Sequence, residues 1–223
     1  MQLSERTIEI LKNFATINPS IVIQQGNLVR QVSPSKTILS HALVEEDFPN
    51  KFGIYDLNRF LGTLSLFTKP DLFFTDHYVA IKSGSQQSKF FYCEPELIMT
   101  PPDNELPVDN VIAEFTLTEH DLAAIMKGAN VLQAPEFVIE HRAGDIVITA
   151  KDSKNTASNT FERKVGEALE SPVEFSAIIK VEHVKLAPGS YDVRLSSSGL
   201  VHFKQTGGSL QYWIVTENSS KYQ

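Results

Sequence analysis

Six histidines, at 41, 77, 120, 141, 183 and 202, are the first side chains to test for chemistry in this 223-residue chain. None stands in H-x-x-x-H or H-x-H spacing, the arrangements that bring two imidazoles onto one metal from a helix or a strand. Asp76-His77, His120-Asp121 and Glu140-His141 pair a base with a carboxylate in sequence. Adjacent residues on a strand point to opposite faces, however, so a dyad at Asp76-His77 or Glu140-His141 does not form. The sequence holds no G-x-S-x-G nucleophile turn, no G-x-x-x-x-G-K-[ST] phosphate loop and no G-x-G-x-x-G turn. The single cysteine, Cys93, lies in the apolar run KFFYCEP and reads as a buried strand residue rather than a nucleophile. No catalytic residue, metal ligand or cofactor is assigned.

The remaining candidates are basic side chains on the wet sides of apolar-spaced segments. At about 100° per residue, Lys12 lies opposite the Leu3/Ile10/Phe14 face, with Arg6 on its flank. Arg59 lies opposite Leu57, Leu61 and Leu64, with Gly62 beside it, and Lys127 lies away from the Leu122/Met126 stripe. Lys180 and Lys185 bracket the segment IIKVEHVKL. Acidic residues gather in segments read as loops and connector: Glu45-Glu46-Asp47, then Asp103, Glu105 and Asp109, then Glu167, Glu170 and Glu174. With 20 Lys and Arg against 27 Asp and Glu, the net charge of −7 excludes a chain that adsorbs to phosphate over its whole surface. Glu5, Glu9 and Glu182 share the basic faces, so composition leaves two readings open: solvated helix faces, or helices that line something.

The elements that position these residues are written twice. Pro19-Ser-Ile-Val-Ile23 matches Pro135-Glu-Phe-Val-Ile139, about half the chain apart, and each continues past turn residues (Gly26-Asn27; Ala143-Gly144-Asp145) that predict a hairpin. A helical segment precedes each. The first carries Leu3, Thr7, Ile10, Leu11 and Phe14 on one face with Ser4 as its cap. The second carries Leu122, Ile125, Met126 and Ala129, with Thr118 and Asp121 at capping-box spacing. After each hairpin comes a polar loop (33–53 and 151–174), then a further helical segment, DLNRFLGTLSLF in the first half and the shorter IIKVEHVKL in the second, then a strand meander. A Pro-rich acidic stretch from Glu94 to Asn110 reads as a connector, dividing the chain at 1–108 and 109–223. No apolar run approaches the roughly 18–20 residues that span a bilayer, and no secretory signal is recognisable.

Two segments, ILKNFATIN and IYDLNRFLGTLSL, resemble the sliding clamps of T-even-type bacteriophages, the polymerase processivity factors. LTEHDLAAIMKGANVLQ and FSAIIKVEHVKLAPGSYDVRL support the similarity more loosely, and together the segments span essentially the whole chain in order. The resemblance implies an α+β DNA-clamp fold: two similar domains, each with two helices on antiparallel sheet, closing as a homotrimeric ring whose helices line a channel. It implies that Arg6, Lys12, Arg59, Lys127, Lys180 and Lys185 face double-stranded DNA without reading its sequence. The implied partners are the replicative DNA polymerase, held through a short C-terminal peptide, an ATP-driven clamp loader and the late-transcription machinery, all in the cytoplasm of an infected bacterium. The clamp itself hydrolyses nothing. A partner-peptide pocket near the connector would involve Leu97, Ile98, Leu106 and Val108. The alternatives from other classes are a protein-interaction scaffold of duplicated α+β domains and a hydrolase with dispersed catalytic residues.

Overall fold

The computed structural model describes residues 1–102, 106–167 and 174–222, and the chain divides into two compact units, Met1–Asp103 and Asn104–Gln223. Asp103, Glu105 and Glu170, among the acidic residues noted above, lie outside the described residues, as does the side chain of Glu167. The first unit runs α1 (Glu5–Ile17), β1 (Ile21–Ile23), β2 (Gly26–Val32), β3 (Ile38–Phe48), β4 (Phe52–Ile54), α2 (Leu57–Leu64), β5 (Asp71–Phe74), β6 (Tyr78–Ser83) and β7 (Gln86–Phe91). The second runs β8 (Val111–Leu117), α3 (Glu119–Leu132), β9 (Glu136–Arg142), β10 (Asp145–Lys151), β11 (Phe161–Glu167), β12 (Phe175–Lys180), β13 (Tyr191–Ser196), β14 (Leu200–Gln205), β15 (Gln211–Val215) and β16 (Lys221–Tyr222).

The strand pairing repeats. In the second unit β9 pairs antiparallel with β10 on one side and β12 on the other, and β10 pairs with β11. In the first unit the same neighbours are joined in two halves, β2 with β3 and β1 with β4. The meander β5–β6–β7 answers β13–β14–β15. Where β8 pairs with β13, Met1 exchanges backbone hydrogen bonds with Leu72 of β5, at 3.2 and 2.7 Å. A single contact marks the repeat best. The Leu57 amide, at the start of α2, donates to the Pro19 carbonyl at 2.7 Å, and the Val181 amide donates to that of Pro135 at 2.9 Å.

That equivalence exposes where the sequence pattern misleads. IIKVEHVKL is not a helix: it finishes β12 and makes one 3-10 turn, Val181–His183. Lys180 stands at the N-cap with no capping side chain, whereas Asp56 accepts from the Arg59 amide at the matching end of α2. Without a cap, and with β-branched residues before it, the segment takes strand geometry instead. The stretch 33–53 is not a loop but mostly β3, in which Ile38, Ser40, Ala42 and Val44 alternate inward. Its acidic end, Glu45 to Asp47, therefore belongs to a strand. Gly26-Asn27 closes no two-strand hairpin either, because the fully buried β1 pairs with the equally buried β4 and the chain passes on into another sheet.

Each unit has its own core. Leu11, Phe14, Ile21, Ile54 and Leu57 are buried in the first, and Ile125, Ile139, Tyr191, Tyr212 and Trp213 in the second. Burial of each such aliphatic or Phe side chain contributes about 1.5–3 kcal/mol. The two tyrosines also satisfy polar groups: Tyr191 donates to the Ala187 carbonyl at 2.6 Å, and Tyr212 accepts from the Ala187 amide at 3.1 Å. They hold the chain where it leaves the 3-10 turn.

Candidate nucleic-acid interface

The three α-helices among the described residues are fixed at their N-termini, and that fixing aims their wet faces. Ser4 caps α1, its hydroxyl accepting from the Thr7 amide at 3.1 Å. Glu46, on β3, accepts from the Ser4 amide and from the Thr7 hydroxyl, so a carboxylate sits at the positive end of the helix and ties it to the sheet. With Thr7, Ile10, Leu11 and Phe14 buried, Glu5, Arg6, Glu9 and Lys12 are left exposed. On α2, burial of Leu57, Phe60, Leu61 and Leu64 leaves Asn58, Arg59 and Gly62 outside.

On α3 the capping box is joined by a residue the sequence reading missed. The Thr118 hydroxyl and the Asp121 carboxylate bond at 2.6 Å, the Asp121 amide donates to Thr118 at 3.1 Å, and Arg163 of β11 pairs with Asp121. Arg163 also approaches His120 Nδ1 at 2.9 Å. Burial raises the Asp121 pKa, but the bonds from Thr118 and Arg163 outweigh it and hold the carboxyl below the usual range. A carboxylate with a depressed folded pKa stabilises above its unfolded pKa, near 3.9, and that stabilisation is lost as pH falls through the folded value. Asp121→Asn is expected to destabilise the second unit by about 1–2 kcal/mol near neutral pH, as the loss of an anchored helix cap does. Urea melts should show the difference from wild type shrinking below about pH 4; a difference that does not change with pH would overturn the assignment.

The structure sorts the six basic residues. Lys12, Arg59 and Lys127 are exposed, and none has a carboxylate within 4.0 Å among the described residues. Arg6 sits 3.8 Å from Glu9, and Lys180 sits 3.8 Å from Glu217. Lys180 and Lys185, placed by sequence on a helix, stand at the end of β12 and just past the 3-10 turn. Of the pocket candidates, Leu97 is 76% exposed in the turn Pro95–Leu97, whereas Ile98 is 7% exposed, with its Cδ1 against Gly53. Ile98 thus serves the packing of its own unit. Leu106 and Val108 are half-buried on irregular backbone. Cys93 is half-buried at an isolated bridge to Gly53, and burial pushes its thiol pKa up, away from nucleophilic character.

Among the described residues, no group of three or more His, Cys, Asp or Glu could hold a metal ion, and no helix is long and apolar enough to cross a membrane. A cavity of about 510 Å³ opens between α1 and α2, floored by Leu3, Ile8, Leu61 and Leu64 and flanked by Lys12 and Lys69. Among the strands that end a sheet in the described residues are β7 in the first unit and β11 in the second. Such edges invite another strand.

This arrangement of capped helices over repeated antiparallel sheets is the fold of the DNA clamps. The chain superposes on the A. fulgidus PCNA of the structure "C-terminal region of FEN-1 bound to A. fulgidus PCNA", with a TM-score of 0.73 and 15% identity, covering 99% of this chain and 100% of that one. Sequence narrows the class. Residues 4–86 match the DNA polymerase processivity factor family, and residues 114–218 match the C-terminal part of the gp45 sliding clamps. The sliding clamp of Vibrio phage KVP40 is 33% identical over 222 residues, covering 97% of this chain and 99% of the relative; that of Escherichia phage RB69 is 29% identical over 230 residues, covering 100% and 99%. The chain belongs to the sliding-clamp family of phage DNA polymerase processivity factors.

Proposed function

We propose that this clamp works as a closed ring of three copies that encircles duplex DNA and tethers the replicative polymerase. The observation that carries this reading is the full-length similarity to the KVP40 sliding clamp, at 33% identity over 97% of the chain. The repeated order of elements supports it, because head-to-tail contacts between similar units close into a ring when the rotation per unit fits. In the ring, β7 of one copy pairs with β11 of the next, which covers these two sheet edges.

The charge supports it too. A chain of net charge −7 is poorly suited to adsorb on DNA from outside, whereas a ring holds DNA by topology and needs only enough local positive charge to offset repulsion. Lys12, Arg59 and Lys127 supply that charge as phosphate contacts without base readout, with Arg6, Lys180 and Lys185 secondary. An ATP-driven loader opens the ring, and the clamp hydrolyses nothing itself. The polymerase peptide docks near the connector, with the exposed Leu97 as its anchor. Support of late transcription and action in the cytoplasm of the infected host follow the same family reading.

The test is loading onto nicked circular DNA with the cognate loader and ATP, followed by linearisation. The clamp should stay on the circle through a high-salt wash and leave once the DNA is cut. Equal retention on circular and linear DNA would sink the proposal, as would sedimentation as a monomer at every concentration.

A further inference from the structure

The outward face of the β5–β6–β7 sheet carries a feature that an encircling ring does not require. Strand register places Asp71 and Phe73 of β5, Tyr78, Ala80 and Lys82 of β6, and Gln87, Lys89 and Phe91 of β7 on one face. The opposite face holds Leu72, Val79 and Ile81, all buried, and Phe90, which meets Phe60 of α2 at 5.2 Å. The core side is therefore accounted for. On the solvent side Phe73 is 51% and Phe91 66% exposed, although either position could have been polar at no expense to the core. Three aromatic rings thus lie on three adjacent strands, across a platform about 10 Å wide.

The cations are arranged with the rings. Lys82 Nζ lies 5.3 Å from the Phe73 ring centre, and Lys89 Nζ lies 4.7 Å from that of Tyr78. Tyr78 and Phe91 are themselves in contact, with centres 5.4 Å apart. Each ammonium covers one ring face, so it must move aside before a flat ligand stacks there. The small Ala80, at the centre, is 8% exposed beneath the side chains around it. The nearest carboxylate on this face, Asp71, accepts from Gln2 Nε2 at 3.1 Å.

We infer that this face binds single-stranded nucleic acid, two or three bases stacking on Phe73, Tyr78 and Phe91 while Lys82 and Lys89 swing from the rings to the flanking phosphates. The charge is complementary to a phosphate chain. The flatness and the alternation of ring and cation match the way sheets and oligonucleotide-binding surfaces hold unpaired bases. An acidic peptide would satisfy the lysines but leave the ring faces without flat partners. A strand added at the β7 edge uses backbone groups, so it leaves this face open. The inference stands on the first unit alone and does not depend on ring closure.

The probe is a short oligothymidylate carrying one 2-aminopurine, titrated with the wild-type chain at low and moderate salt. Stacking should quench the fluorescence. Phe73→Leu and Phe91→Leu, which keep apolar bulk but remove the π face, should each weaken binding by about 5- to 100-fold. Lys82→Ala and Lys89→Ala should each lower the salt slope by about 0.7. Thermal melts confirm folding, and retention of each variant on circular duplex should match wild type. Unchanged affinity in both Leu variants would overturn the inference. So would tighter capture of duplex of the same length, displacement of the oligonucleotide by an acidic peptide at lower concentration, or a change in oligomeric state in the Leu variants, which would assign the face to a neighbouring copy. Lost retention on circles with stacking intact would count against the ring instead.

Discussion

Gly128→Ala is expected to destabilise the second unit, and Gly62→Ala to stabilise the first, although both glycines lie inside helices. Gly in a helix interior costs about 1 kcal/mol relative to Ala, so the substitution is favourable unless the space is taken. At Gly128 it is taken: an added Cβ would lie 2.5 Å from Cδ1 and Cγ of Phe161, the first residue of β11. The ring is held at the start of a strand that Arg163 also ties to α3, so relief would have to move β11. Overpacking of this kind costs about 1–3 kcal/mol, enough to outweigh the gain in helix propensity. At Gly62 an added Cβ meets nothing within 4 Å, and a gain of about 0.5–1 kcal/mol should remain. Urea midpoints at constant m-value would read both effects. In a Phe161→Ala background, Gly128→Ala should turn neutral or stabilising. The same sign for both glycines in the wild-type background would show that the contact with Phe161 does not set the packing of α3.

Gly62 also shows what a sequence can reveal about a site. Its place on the wet side of α2 follows from the apolar spacing of Leu57, Leu61 and Leu64. The structure then removes a packing role within the chain, since the space above it is open. The caps were equally legible, because Ser4, Thr118 and Asp121 announce themselves by local spacing. Local spacing cannot show a missing cap at Lys180, however, and apolar periodicity in IIKVEHVKL fits a strand end as well as a helix. Arg163 lies 42 residues from Asp121, and only the packing of α3 on β11 brings the two together. The exposed aromatic face was hidden for a related reason. Phe73, Tyr78 and Phe91 share a side only once the pairing of three strands is fixed, and a shift of one residue would have buried them.

Reversing Lys12, Arg59 and Lys127 to glutamate together is expected to cut clamp loading at least about tenfold at low salt, given how steeply phosphate binding follows charge. These three cations have no carboxylate within 4.0 Å among the described residues, so no close ion pair offsets their charge. Each reversal shifts the local charge by two units in every copy of the ring. Exposed charges are screened beyond a Debye length of about 3 Å at 1 M salt, so the defect should narrow as salt rises. Neutralising Arg6 and Lys180 should have a smaller effect, because Glu9 and Glu217 already lie 3.8 Å from them. Sedimentation should find the proposed trimer intact in both variants, since no backbone or core group is altered. Once loaded, the triple variant should still be retained on a nicked circle, because a closed ring holds DNA by topology, yet it should slide off faster after cutting. If the trimer dissociates instead, the three residues belong to contacts between copies. If loading is unchanged at low salt, they do not face the duplex.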